Sequence, residues 1–126
     1  MDISSIKKKI NFLEQQRQKT LTYLLNPKNM VSGSIYSSYK KCGNKRCRCT
    51  RGNLHGPFSY LSRKVEGKTI LTFIRKADTD KITKEAQDYR KYTKAMARLN
   101  NLNRKIYDYI KKIKEVKTRS YERRKV

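Results

Sequence analysis

The three cysteines and the only histidine of this chain lie within one short segment. Cys42, Cys47, Cys49 and His55 follow the pattern C-x4-C-x-C-x5-H. Three thiolates and one imidazole are the donor set of a closed, tetrahedral structural zinc site, which leaves no open position for a substrate. The sequence therefore predicts zinc as a structural cofactor on these four side chains, in a compartment that keeps the thiols reduced.

Other chemistry at these residues is less consistent with the sequence. An odd number of cysteines fits a disulfide framework poorly, and nothing marks one thiol as a nucleophile with His55 as its base. Unliganded cysteines remain an alternative. Metal-dependent nucleases need clustered carboxylates, whereas the ten acidic residues here are scattered, and Asp78 and Asp80 are expected to cap a helix. No catalytic residue is predicted, and the protein is not expected to be an enzyme.

Basic residues interleave with the predicted ligands. There are six of them, Lys40, Lys41, Lys45, Arg46, Arg48 and Arg51. A metal that holds the loop rigid would present them to phosphates; the alternative is that they only solvate a tight loop. Tyr36, Tyr39, Phe58 and Tyr60 flank the loop. Tyr39, Tyr60 and their neighbours could stack on unpaired bases or pack in a small core, and both interpretations stay open.

The overall charge favours a polyanionic partner. The chain has 126 residues, with 33 Lys and Arg against 10 Asp and Glu, for a formal net charge of +23. A charge this high repels itself unless a polyanion neutralises it, so nucleic acid is the predicted partner, with RNA slightly favoured over DNA. No apolar run could span a bilayer and no signal peptide begins the chain, so a cytoplasmic protein without membrane contact is expected.

Hydrophobic periodicity predicts an α+β fold with four segments in one compact unit. Residues 1–27 contain an N-terminal helix that stops at Asn26-Pro27. Residues 31–78 form a zinc-stabilised module with a small antiparallel sheet of two or three short strands. Residues 79–117 form a long C-terminal helix, and residues 118–126 a basic tail. The long helix needs a partner for its apolar stripe, which predicts an antiparallel helical hairpin with the first helix.

The long helix carries a predicted heptad seam and a cationic face. The seam runs through Tyr89, Tyr92, Met96, Leu99, Asn103, Ile106, Ile110 and Ile113. This phase puts several cations on the opposite face, namely Lys91, Lys94, Arg98, Lys105 and Lys112. The tail adds Arg119, Arg123 and Arg124, and it is expected to order on a polyanion. All eight are predicted nucleic-acid contacts, and the uncovered end of the seam could serve a homo-oligomer or a larger complex.

The central motifs resemble the signature of a known family. They are Lys41-Cys42-Gly43, Cys47-Arg48-Cys49, Arg51-Gly52, His55-Gly56-Pro57-Phe58, Tyr60-Leu61-Ser62 and Gly67-Lys68-Thr69. An uncharacterised family of small prokaryotic proteins has such a Cys-Gly / Cys-x-Cys / His-Gly-Pro-aromatic core, followed by a helical C-terminus, and its members are often met near transposases and other mobile elements. The resemblance covers about residues 33–74. It implies a metal-binding, nucleic-acid-associated module and implies no reaction.

These observations together predict a non-enzymatic nucleic-acid-binding protein with a Cys3His zinc knuckle and basic helices. It would be a subunit of a ribonucleoprotein or of a mobile-element nucleoprotein complex. One alternative is a coiled-coil adaptor that binds a protein partner through the heptad seam. A further alternative is a sequence-specific DNA binder, although the sequence shows no helix-turn-helix and no C2H2 finger.

Overall fold

The structure, a computed structural model, describes residues 2–123. Its elements are helix α1 (Ile3–Leu24), strands β1 (Ser34–Lys40), β2 (His55–Val65) and β3 (Lys68–Ile74), and helix α2 (Thr79–Lys117). The predicted α+β layout of helix, antiparallel sheet and long helix is confirmed. The chain divides into two compact units, which we call the helical unit (Met1–Pro27 and Thr93–Val126) and the sheet unit (Lys28–Tyr92).

In the helical unit, α1 lies antiparallel to the second part of α2. The helix begins where the Asp2 carboxylate accepts a hydrogen bond from the backbone N–H of Ser5, at 2.7 Å. Further along, Arg17 Nε donates to Asn103 Oδ1 at 2.7 Å, while Lys9 Nζ lies 5.8 Å from the centre of the Tyr109 ring. Residues with lower numbers in α1 contact residues with higher numbers in α2, so the two helices form the predicted antiparallel hairpin.

The buried stripe of α2 differs in phase from the predicted seam. In the helical unit its buried residues are Ala95 and Leu102, whereas Met96 and Ile110 are 54% and 50% exposed. Partly buried residues complete the stripe, namely Leu99, Ile106, Tyr109 and Ile113. Leu99, Ile106 and Ile113 belong both to the predicted seam and to the observed buried stripe. The two therefore differ in the residues that alternate with these three. Polar Asn103 in the predicted seam would have to be buried, and the observed rotation leaves it exposed instead.

The sheet unit contains three antiparallel strands in the order β1-β2-β3. Glu66 and Gly67 form the two-residue turn between β2 and β3, and both have positive φ angles, 51° and 79°, as a tight hairpin turn requires. Because side chains alternate along a strand, one face of the sheet carries Ile35, Leu61 and the buried Ile74. The opposite face carries a row of aromatic rings.

The sheet unit also includes the start of α2. The backbone N–H of Val31, before β1, donates to the carbonyl of Glu85 in α2 at 3.1 Å. Asp80 lies in the first turn of the helix, whereas Asp78 lies in a short 3-10 turn before it. The Asp78 carboxylate accepts a hydrogen bond from Arg75 Nε at 3.0 Å, so this acid pairs with a neighbouring arginine.

Candidate metal centre and basic surface

The four predicted ligand residues come together in the sheet unit. Their ligand atoms all lie within 4.8 Å of one another. Cys42 Sγ lies 3.6 Å from Cys49 Sγ, and Cys47 Sγ lies 3.1 Å from His55 Nε2. In a tetrahedral site with metal–sulfur bonds of about 2.3 Å, neighbouring ligand atoms are about 3.8 Å apart. The cluster therefore fits a single four-coordinate metal ion.

Local hydrogen bonds shape the loop that holds the thiols. Cys47 precedes a 3-10 turn over Arg48–Arg51, and its carbonyl accepts hydrogen bonds from the backbone N–H and the hydroxyl of Thr50, at 3.1 Å and 2.8 Å. The turn ends at Gly52, whose φ of 104° is typical of glycine at this position. Cys49, within the turn, is fully buried. The turn thus buries the Cys49 thiol, whereas Cys47 is partly exposed and Cys42 is exposed.

His55, the fourth ligand residue, is the first residue of β2. The next residue, Gly56, has a φ of 132°, and a Cβ atom there would lie 2.9 Å from the carbonyl oxygen of Ser38 on β1. Only glycine accommodates this combination of conformation and close approach. The glycine after His55 therefore lets the central strand β2 begin in close contact with β1.

The thiols differ in acidity. The backbone N–H of Cys49 lowers the pKa of the Cys47 thiol to about 6, and contacts with the Cys49, Cys42 and His55 side chains act in the same direction. For Cys49, the backbone N–H of Cys42 acts to lower the pKa, but burial and the two neighbouring thiols outweigh it and raise the pKa. Cys47 is thus the readiest thiolate ligand of this pair.

All six basic residues predicted around the cluster are exposed. The ion pairs in the part of the chain that the structure describes are Arg17–Glu14 and Arg75–Asp78, so no acid neutralises the loop cations there. Lys40, at the end of β1, has the most defined surroundings. Its Nζ atom donates to the Tyr60 hydroxyl at 2.7 Å and lies 4.7 Å from the centre of the Tyr60 ring.

Tyr60 belongs to a row of three rings that crosses the sheet. Tyr36 on β1 is paired with Tyr60 on β2, which is paired with Phe73 on β3. The ring centres of Tyr36 and Tyr60 are 6.4 Å apart, and those of Tyr60 and Phe73 are 5.8 Å apart. Tyr39, also a predicted contact, is exposed but does not belong to this row. The sequence analysis did not include Phe73 among the aromatic contacts. Its spacing of two positions from Leu71 in a predicted strand places both side chains on one face, and this was a usable signal.

The predicted helix cations occupy three different places. Lys91 lies in the sheet unit, and Lys94 and Arg98 lie exposed in the helical unit. Lys105 and Lys112 are not on the face opposite the buried stripe. They line a groove of about 580 Å³ between the two helices of the hairpin, together with Lys8, Lys9, Phe12, Leu13, Asp108 and Tyr109.

The position of Lys105 and Lys112 follows from the rotation of the buried stripe. With Leu102 and Tyr109 on the buried side, Lys105 and Lys112 lie beside the stripe, and Lys112 Nζ is 5.0 Å from the centre of the Tyr109 ring. In the tail, Arg119 and Arg123 follow the end of α2 and are exposed. Arg124 lies outside the described residues.

Family comparison defines the class of domain. Residues 4–84, more than half of the chain, match the family described as a domain of unknown function (DUF6788), and the chain belongs to that family. The match includes α1 apart from Ile3, the whole sheet and all four ligand residues. No curated protein and no solved structure matches the chain. In addition, none of the helices within residues 2–123 has the length and apolarity to cross a membrane.

Proposed function

We propose that this protein is a non-enzymatic nucleic-acid-binding protein in which a metal-held loop presents cations to phosphates. The observation that carries this proposal is the uncompensated charge around the Cys3His cluster. Six exposed basic side chains surround it, and no acidic residue occurs between Glu14 and Glu66 in the sequence. Lysine and arginine that neutralise phosphates release counterions, which supplies most of the affinity of such proteins.

Zinc is the metal that we propose for the cluster. Cys42, Cys47, Cys49 and His55 offer three sulfurs and one imidazole nitrogen, and zinc prefers this donor set in structural sites. Bound there, zinc would supply a cross-link between the loop and β2 and no reaction chemistry. The chain's own residues would do the binding, since the loop cations face solvent around the ligands.

RNA within a ribonucleoprotein is the partner that we favour. The sheet offers exposed rings next to the basic loop, which suits unpaired bases more than a regular duplex. An association with mobile elements, which the resemblance of the central motifs implies, would make the partner a guide RNA or DNA of a mobile-element complex. In either case the main contacts would be to phosphates and the affinity would depend strongly on salt.

The direct test combines capture with a charge variant. Protein purified at low salt from its native cells is expected to carry nucleic acid, which sequencing identifies as RNA or DNA. Binding to a labelled RNA is then measured by fluorescence anisotropy for the triple variant Lys45→Gln, Arg46→Gln, Arg48→Gln. The matched control replaces three exposed lysines of the same unit, Lys76, Lys81 and Lys84, by Gln.

The loop variant is expected to lose much more affinity than the control, with its zinc content unchanged. Equal losses in the two variants would show that the loop is not the focus of binding. A wild-type protein that binds neither RNA nor DNA at 50 mM salt would overturn the proposed function.

An adaptor function is the second candidate, and one observation favours it. Met96 and Ile110 lie outside the buried stripe of α2 and expose about half of their surface. Apolar side chains at helical spacing on an open face suit a partner helix. Light scattering after nuclease treatment distinguishes the candidates, because an adaptor keeps a defined oligomer or partner without nucleic acid, and a binder becomes monomeric.

A further inference from the structure

The aromatic row of the sheet is open to solvent at both ends. Tyr36 and Phe73 are 50% and 55% exposed, and Tyr60 between them is partly buried. The three rings adjoin one another on adjacent strands, with centres about 6 Å apart, and their planes are tilted by 44° between Tyr36 and Tyr60 and by 67° between Tyr60 and Phe73, so each end ring presents its own face or edge to solvent. Adjoining exposed rings indicate an interaction site more than singly exposed rings do, because contiguous apolar patches are uncommon on proteins that bind nothing there.

The surroundings of the row indicate what that partner is. The next row on the same face consists of Ser34, Ser62 and Leu71, so small polar side chains occupy two of the three strands beside the rings. On the other side of the rings, Ser38 is paired with Phe58, so serine and apolar side chains alternate around the row. This mixed border of hydroxyl groups and apolar groups suits a planar, partly polar molecule such as a nucleobase.

The Lys40 side chain contacts Tyr60, the central ring of the row. Lys40 Nζ lies over the Tyr60 ring at 4.7 Å from its centre and within 2.7 Å of the Tyr60 hydroxyl. Lys40 is exposed, and it is the last residue of β1, directly before the basic loop. A phosphate bound by Lys40 would therefore have its base next to the rings, and the adjoining nucleotides would reach the loop cations.

We infer that the Tyr36, Tyr60 and Phe73 row is a stacking platform for the unpaired bases of a single-stranded nucleic acid, with Lys40 as the phosphate contact at its centre. The inference rests on the proposed function and narrows its substrate class. Three adjacent rings accommodate two or three bases, which must be unpaired for their faces to be free. Stacking tolerates any base and either sugar, so single-stranded RNA and DNA are both ligands of the platform.

The test replaces one exposed ring without removing its apolar contact. Phe73→Leu and Tyr36→Leu are compared with Phe73→Tyr, which keeps a ring, and with Tyr107→Leu, which removes an exposed ring from the helical unit. Anisotropy is measured with a single-stranded RNA, a single-stranded DNA and an RNA duplex of equal length. A single-stranded probe with 2-aminopurine reports stacking directly through quenching of its fluorescence. Zinc content shows that each variant keeps its sheet unit.

Loss of one stacking contact lowers affinity by about 5- to 150-fold. We expect losses at the lower end of this range for Phe73→Leu and Tyr36→Leu with both single strands, with weaker quenching. Duplex binding is expected to stay unchanged, and Phe73→Tyr and Tyr107→Leu to behave as wild type.

The inference is overturned if the ring variants bind single strands as tightly as wild type does. It is equally overturned if they lose only self-association in light scattering, because the row would then be a protein interface. The proposed function would survive both results as long as the basic-loop variant still lost affinity. Conversely, a wild-type protein that binds none of the three probes would remove the proposed function itself.

Discussion

His55 Nε2 lies 3.1 Å from Cys47 Sγ, although the two residues are eight positions apart in the sequence. Cys47 precedes the 3-10 turn of the loop and His55 begins strand β2, so this contact joins the loop to the sheet. Tyr60 lies on the same strand as His55. A metal at this contact would therefore stabilise both the basic loop and the strand that carries the central ring.

Removal of a ligand is expected to release the metal. Cys47→Ala or His55→Ala leaves three donors, which lowers the affinity for zinc and frees the loop. We expect zinc measured by mass spectrometry to fall from one equivalent to nearly none, and amide exchange of residues 40–55 to become faster. Helical circular dichroism is expected to persist, because the helical unit does not contain the cluster. Arg51→Ala, in the same loop, should keep its zinc; a Cys47→Ala protein that also keeps it would refute the site.

The acidity of Cys47 predicts selective alkylation of the metal-free protein. The backbone N–H of Cys49 lowers the pKa of Cys47 to about 6, so its thiolate predominates at pH 7, whereas Cys49 has a raised pKa and stays protonated. Iodoacetamide is expected to label Cys47 before Cys49, with a rate that falls as the pH drops through about 6. Peptide mass spectrometry measures both rates. Zinc should protect both thiols, and equal rates without zinc would contradict the assignment.

The core of the helical hairpin gives a stability prediction. Ile6 in α1 is 1% exposed, and its replacement by Ala should lower the free energy of unfolding by about 2 to 5 kcal/mol, since a cavity remains. Phe12 in the same helix is 60% exposed, so Phe12→Ala should change it by less than about 0.5 kcal/mol. Urea unfolding followed by circular dichroism measures both values. Similar values for the two variants would mean that α1 packs on another face.

The helix cations give a prediction about salt dependence. If the protein neutralises about six phosphates, its affinity for single-stranded RNA should fall about 300-fold between 50 and 200 mM salt. Replacing Lys94, Arg98 and Lys105 by Gln should weaken binding and reduce the slope of log affinity against log salt by up to about three. Zinc content should stay at the wild-type level. An unchanged slope would show that these side chains do not contact phosphates.

Much of the fold and the ligand cluster was predictable because the signals are local. The cysteine and histidine spacing identified all four residues that the structure brings together. Asn26-Pro27 marked the end of the first helix, which stops at Leu24. Such signals depend only on a few neighbouring residues, so they can be recognised without knowing which distant segments pack against them.

What the tertiary structure decided depends on contacts between distant segments. The rotation of α2 that exposes Met96 and puts Lys105 in the groove is set by packing against α1, because Leu99, Ile106 and Ile113 belong to both phases and do not choose between them. The alignment of Tyr36 with Phe73 likewise requires the register of three strands. The sequence by itself determined which residues could bind metal and phosphate and which segments are helix or strand. Only the folded chain decided which side chains share a face, since non-local pairing sets both helix rotation and strand register.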